Sequence, residues 1–271
     1  MKVNKLYIGD CVSLMSGATA LKGTVDLVCV DPPYNIGYDY GDGEYDDARP
    51  GAEYKQWTDG WLDAVYAILS EHGAMWVVIG DEWAAEVKVA ATQRGFKLRS
   101  WVVWYYTFGV NCTQKFNRSH AHLLYFVKDE KKFTFNVDAI RVPSARALVY
   151  NDKRAAPGGK LPDDTWVLRP QDLASGFNPE DDVWSISRVC GTFKERVAGA
   201  ANQLPEQLMG RIIRACSNEG DLVLDPMSGT GTTLTTAKKL GRKYIGFEIS
   251  PVFAERAANR LAGVTRGDDL D

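Results

Sequence analysis

The sequence predicts an α/β fold, a mainly parallel Rossmann-like sheet with helices on both faces. Three observations lead there. Short, near-continuous apolar runs alternate with helical patterns toward both ends of the 271-residue chain, the pattern of strands covered on two sides. Two of those runs end on an acid followed by proline, at "VCVDPPY" (28–34) and "LVLDPMSGTGTT" (222–233). The alternation stops near residue 129 and resumes near 200, which marks an insertion or subdomain.

In chain order, "KLYIGD" (5–10) reads as a strand closing on Gly-Asp. "VDLVCV" (25–30) is the second strand, and the two prolines that follow end it and stiffen what comes next. Trp57, Trp61, Leu62, Val65, Ile68 and Leu69 make a helical stripe over 54–73, with Gly73 as its stop. "AMWVVIG" (74–80) is a buried strand, 82–95 a helix ending at Gly95, and 98–106 and 122–128 two more strands. Beyond the break come a helix (205–220), a strand (221–226), a helix (232–241), a strand (243–249) and a helix (251–261) with Pro251 in its first turn. Residues 1–128 and 201–271 therefore form one domain and 129–200 an insert. Trp166, Val167, Leu168, Phe177, Trp184 and Phe193 give the insert something to pack.

Composition excludes several classes. A net charge of −3 argues against coating nucleic acid by bulk charge, though not against a local basic cleft. No apolar run reaches the ~18 residues of a membrane span, and the N-terminus lacks a signal-peptide pattern, so a cytoplasmic protein with no membrane partner is expected. Five scattered cysteines suggest reduced thiols, and three histidines are too few for a metal cluster.

Ligands of open α/β sheets sit beyond the carboxyl ends of the strands. At 225–233 a strand runs through Asp225, Pro226, Met227 and Ser228 into Gly229-Thr230-Gly231 and a helix that starts with Thr232 and Thr233. The glycines permit a tight turn and close backbone approach, and the helix start offers free N–H groups. Glu248, about twenty residues on at the tip of the next strand, suits ribose hydroxyls. The third glycine of the dinucleotide fingerprint and the Gly-Lys-Ser/Thr of a P-loop are both missing. Asp225 suits an ammonium group. A cofactor with an amino group and a ribose fits S-adenosylmethionine, while the bland alternative is a plain strand-to-helix turn. At the other strand end, Asp31 with the carbonyls of Pro32 and Pro33 makes an acceptor cluster for an exocyclic amine. Tyr34 can stack on a planar base. Acceptors that draw the amine hydrogens out of plane aim its lone pair at an electrophile.

Asp31-Pro32-Pro33-Tyr34 matches the (Asp/Asn/Ser)-Pro-Pro-Tyr motif of DNA amino-methyltransferases, and "DPMSGTGTT" is similar to their Phe-x-Gly-x-Gly cofactor loop, with Met227 in place of Phe. The catalytic motif precedes the cofactor motif, an order that resembles the β class. "YIGDC" (7–11), "NRSHAHLLYFVK" (117–128) and "NQLPEQLMGRII" (202–213) also resemble family segments. The resemblance implies a site-specific enzyme that methylates an exocyclic amine of a flipped-out base in double-stranded DNA, with S-adenosyl-L-methionine as cofactor. It implies cofactor contacts from Asp10 and Cys11 beside the adenine. It also implies DNA contacts from the insert's basic residues, Arg141, Arg146, Lys153, Arg154, Lys160 and Arg169, with Arg118, Lys115 and Lys194 as weaker candidates, the bland alternative being a solvated face. An acid at the head of the motif resembles the N6-adenine enzymes more than the N4-cytosine ones. N4 of cytosine, a protein glutamine amide, an idle DNA-binding module, a homodimer and a separate cognate restriction endonuclease stay open. Trp101, Trp104, Tyr105 and Tyr106 are expected in the sheet, and His120 and His122 as structural or phosphate-contacting groups.

Overall fold

Seven strands make one sheet: β1 (Lys5–Ile8), β2 (Val25–Val30), β3 (Leu69–Ile79), β4 (Lys97–Val110), β5 (Arg118–Val127), β6 (Leu222–Asp225) and β7 (Lys243–Glu248). The structure is a computed structural model and describes residues 1–40, 43–110, 112–156, 158–164, 189, 194–197 and 202–270. The strand order is β1-β7-β6-β2-β3-β5-β4. The first five are mutually parallel, and β5 runs antiparallel to both of its neighbours. The helices are α1 (Cys11–Gly17), α2 (Gly51–Ile68), α3 (Ala84–Gln93), α4 (Ala145–Leu148), α5 (Glu206–Cys216), α6 (Thr232–Lys239) and α7 (Pro251–Ala262).

Strand alternation divides the core in two. In β2, Val25, Val28 and Val30 face the layer built by Met15 of α1, Trp61 and Val65 of α2 and Val87 of α3. Leu27 and Cys29 face the layer of Leu208, Ile212 and Ile213 from α5, Leu234 from α6 and Leu261 from α7. Both faces are covered, as a parallel sheet requires. From β6 the chain proceeds to β7 on one side, and from β2 to β3 on the other. The crevice between the carboxyl ends of β6 and β2 is therefore the point where the winding reverses, the general ligand position of such sheets.

The structure departs from the sequence reading in three places. The helix expected over 54–73 ends at Ile68, and β3 starts at Leu69. Gly73 does not stop a helix: it lets β3 lie against β2, where a Cβ would come 3.0 Å from the Val25 carbonyl oxygen and 2.6 Å from Leu69 Cγ. Helix α1 was not expected, and it is too short to show a periodicity. Asp10 starts it, accepting the Ser13 N–H at 2.8 Å. The β4–β5 hairpin extends beyond both expected strands.

Of the stretch expected as an insert, residues 129–156, 158–164, 189 and 194–197 are described. Asn136 stitches its beginning to α5, donating from its backbone to the Ala215 carbonyl and from Nδ2 to those of Arg214 and Ser217. Trp166, Val167, Leu168, Arg169, Phe177, Trp184 and Phe193 lie outside the described residues. At the far end, Glu195 and Glu206 meet Lys239 and Arg260 in a buried ionic cluster, with Lys239 Nζ 2.7 Å and Arg260 Nη2 2.8 Å from Glu206. That cluster ties the return of the chain to α5, α6 and α7.

Candidate active site

Two neighbouring parallel strands end in Asp-Pro. Val28 of β2 is opposite Leu224 of β6, so Asp31 and Asp225 leave the sheet side by side. Both line a cavity of about 370 Å³ at the winding switch, within the size range of small-ligand sites.

Beyond β6 the chain turns through Met227 and Ser228. Asp225 Oδ1 accepts the Met227 N–H at 3.0 Å, and Ser228 Oγ donates to the Asp225 carbonyl at 3.1 Å. Glu248, at the end of β7, accepts Gly229 N–H through Oε2 at 2.6 Å and Ser250 N–H through Oε1 at 2.9 Å. The acid expected to hold a ribose thus also holds the glycine loop. Gly231 heads α6 with φ +79°. A Cβ there would come 2.9 Å from Ala257 Cβ on α7, so this glycine serves helix packing, and among the expected cofactor residues it alone does not line the cavity. The Thr232 hydroxyl accepts from Arg260 Nη1 at 2.8 Å. Asp10 lines the cavity while capping α1, and burial pushes the Cys11 thiol up to about 12, so it stays neutral. Ile249 and Phe253 add an apolar wall.

Beyond β2 the order is different. Tyr34 Oη donates to Asp31 Oδ1 at 3.1 Å. The Tyr34 ring rests on Gly80 at the end of β3, where a Cβ would come 3.2 Å from Cδ2. Tyr54 of α2, 1% exposed, donates to the Pro33 carbonyl at 2.8 Å and fixes that peptide. Residues 35–38 are held by a side chain the sequence reading passed over. Asp47 is buried and accepts the N–H groups of Asn35, Ile36 and Tyr38 at 2.8, 3.1 and 2.9 Å. Asn35, at φ +52°, exchanges two hydrogen bonds with Arg49. The loop so clamped brings Tyr38, Tyr40 and Tyr45 into the cavity wall, with Arg49 lying 4.4 Å over the Tyr45 ring.

Burial pushes the Asp31 carboxyl up to about 7, with the Tyr34 hydrogen bond opposing and the charge of Asp225 adding. Burial likewise raises Asp225 to about 6, against its hydrogen bonds to Thr233 and Met227. Two acids sharing one apolar crevice resist ionisation, and a cationic ligand would relieve both.

The third wall comes from the antiparallel end of the sheet. Trp104, Tyr106 and His120 line the cavity near Tyr34, and Tyr106 Oη donates to the His120 carbonyl at 3.1 Å. His122 is structural, accepting the Trp101 indole N–H at 2.9 Å. Arg118 also lines the cavity; its Nε lies 2.8 Å from Asp81 and its Nη2 contacts Glu82.

The other expected DNA-contacting cations lie on the insert, away from this cavity. Arg141 pairs with Asp138, Arg146 and Arg154 with Asp152, and Lys160 with Asp163, while Lys153 is exposed. Exposed pairs of this kind are weak enough to exchange one partner for a phosphate.

The donor set fits a flat, ribose-bearing cation: two carboxylates at adjacent strand ends, a glycine turn, a helix start and an apolar wall. Known proteins decide the family. The profile of a DNA methylase family matches residues 25–259. The chain is 35% identical to the type II methyltransferase M.HpaI of Haemophilus parainfluenzae over 92% of its own length and 71% of the relative's. The chain belongs to the DNA methylase family. It is a DNA methyltransferase of the N6-adenine/N4-cytosine group, a family that uses S-adenosyl-L-methionine. It is also 33% identical to the DNA adenine methyltransferase YhdJ of Escherichia coli K12, over 88% of this chain and 76% of that one. Solved structures share the fold. The complex of M1.HpyAVI with S-adenosylmethionine has a TM-score of 0.61 at 19% identity, covering 95% of this chain and 98% of the other. The cytosine-N4-specific PvuII methyltransferase has 0.62 at 18%, covering 96% and 86%.

Proposed function

We propose that this methyltransferase acts on the exocyclic N6 of adenine in double-stranded DNA, with the base turned out of the helix into the cavity beside Tyr34. The observation that carries the reading is Asp31, a carboxylate at the end of β2 held in the cavity wall by one tyrosine hydroxyl. The identity to an adenine methyltransferase adds to it.

Bound S-adenosyl-L-methionine supplies an electrophilic methyl group. Asp225, Glu248, Asp10 and the Gly229 turn are assigned to holding it, with Cys11, Pro226, Met227, Ser228, Thr230, Thr232 and Thr233 along its length. Asp31 Oδ and the Pro32 carbonyl accept the two hydrogens of the target amine and draw its lone pair out of conjugation with the ring. Tyr34 stacks on the base. Tyr54 keeps the proline peptides from turning, and Asp47 keeps the chain after Tyr34 in place. The methylated amine is a strong acid, and its extra proton leaves to Asp31 Oδ or to water. A carboxyl near 7 suits that receipt. Arg118 and the insert cations, Arg141, Arg146, Lys153, Arg154 and Lys160, are assigned to DNA, and 129–200 to target recognition.

The test is a nucleoside digest. Unmethylated plasmid and genomic DNA are incubated with the protein and S-adenosyl-L-methionine, hydrolysed and weighed by mass spectrometry. N6-methyladenine is expected; N4-methylcytosine would overturn the base assignment and keep the family.

A further inference from the structure

The start of α6 is backed by a cation that does not itself line the cavity. Arg260, on α7, has a side chain only 11% exposed. Its Nη1 donates to the Thr232 hydroxyl at 2.8 Å and its Nη2 to Glu206 Oε1 at 2.8 Å, with Glu195 Oε2 at 3.5 Å. Glu195 also accepts the Glu206 N–H at 3.0 Å, and Lys239 meets the second oxygen of Glu206 at 2.7 Å. The guanidinium is therefore held on two edges, by carboxylates on one and by a hydroxyl on the other.

Thr232 is 5% exposed and lines the cavity. A hydroxyl has one proton and two lone pairs. Arg260 takes a lone pair, and among the described residues nothing accepts the proton. Arg260 approaches from the interior, which leaves that proton on the cavity side. A hydroxyl oxygen that accepts from a cation is also the stronger donor through its own hydrogen.

The rest of the cavity wall limits what can accept it. Asp10, Asp31, Asp225 and Glu248 all line the cavity, so an anionic group is repelled from much of the wall. Donors gather at the start of α6, where Thr230, Thr232 and Thr233 line the cavity and the first N–H groups of the helix are free. S-adenosyl-L-methionine carries one anionic group, the carboxylate of its amino-acid tail.

We propose that Arg260 is a positioning residue for the cofactor, which turns the Thr232 hydroxyl so that its proton meets the tail carboxylate. A guanidinium inside the cavity would be free to pair with one of the acids that line it. Set behind Thr232, it is held by Glu195 and Glu206 instead. The inference rests on the cofactor placement assigned above.

The test measures, by calorimetry, the binding of two ligands that differ only in that carboxylate: S-adenosyl-L-methionine and decarboxylated S-adenosylmethionine. Arg260→Lys keeps a cation in the buried cluster and loses the fork that reaches Thr232 and Glu206 together. It is expected to weaken the first ligand about tenfold and the second by less than about twofold. Thr232→Val should do the same, and the double variant should bind no more weakly than Thr232→Val alone. Equal weakening of both ligands, or additive losses in the double variant, would make Arg260 a structural residue only and overturn the proposal. Glu248→Gln checks the placement itself and is expected to weaken both ligands, since both carry the ribose. If it weakens neither, the cofactor placement fails and the inference with it. If it weakens both while Arg260→Lys and Thr232→Val weaken neither, the placement stands and the role of Arg260 alone is lost.

Discussion

The ends of β2 and β6 carry the same dipeptide, Asp-Pro, on adjacent parallel strands, and they are organised in opposite ways. Asp225 serves its own loop. It accepts Met227 N–H, while the turn that follows is closed by Ser228 and by Glu248 from the next strand. Asp31 serves no backbone group in its own turn and meets the Tyr34 hydroxyl at 3.1 Å. Its loop is held from outside, by Tyr54 on the Pro33 carbonyl and by Asp47 on residues 35–38. A carboxylate that already anchors backbone groups is fixed but partly spent. One whose loop is anchored by others keeps its lone pairs for a substrate.

The largest expected effect breaks the two apart. Asp31→Ala should lower methyl transfer by roughly 10²–10³-fold or more and leave S-adenosyl-L-methionine affinity, measured by calorimetry, within about twofold. If transfer survives, the division between a chemical and a binding acid is wrong. Asp47→Asn tests the outside anchor. Losing charge-assisted bonds at one buried acceptor costs about 1.5–3 kcal/mol. The expected result is a ten- to hundredfold fall in kcat, with cofactor affinity nearly kept. A matched loss of cofactor affinity would show that the clamp serves both ends alike.

Asp225→Asn should weaken cofactor binding by about tenfold and reduce kcat less than Asp31→Ala does. The same variant gives the smallest and most specific effect. Asp31 must be ionised to accept the amine hydrogens, so kcat/KM should fall as pH drops through about 7. The charge of Asp225 adds to that elevation, and Asp225→Asn should move the acid limb to lower pH. An unmoved limb would mean that the two carboxylates do not sense one another. Stability carries the opposite sign. Both carboxyls hold their protons more tightly folded than unfolded, so they cost stability as pH rises from the ordinary carboxylate range toward 7 and none below it.

Much of the first strand end was invisible in the sequence because its supports are distant or aperiodic. Asp47 sits among charges and turn residues in "GEYDDARP", and no spacing marks it as buried. Tyr54 reads as one more aromatic on a helix. The insert cations were legible as residues, but their pairing with Asp138, Asp152 and Asp163 was not. The β6 end was legible because its chemistry is local: strand, acid, two glycines and helix follow one another within a dozen residues. The one error of kind, Gly73 as a helix stop, arose because a glycine that admits a neighbouring strand looks the same in sequence as one that ends a helix.

By itself the sequence determined the α/β class, the two Asp-Pro strand ends, the glycine turn and the acid at the tip of β7. These depend on local periodicity, on the fixed φ of proline and on the freedom of glycine, which act over a few residues. Only the tertiary structure decided that the two ends lie side by side, because that follows from the pairing of β2 with β6, whose partners are 196 residues apart in sequence. It also decided that Asp47 and Tyr54 brace the turn after β2 and that Trp104, Tyr106 and His120 line the same pocket. The Asp47 clamp spans 9 to 12 residues with no periodic signal, and the antiparallel strands that carry Trp104, Tyr106 and His120 lie far from β2 in sequence.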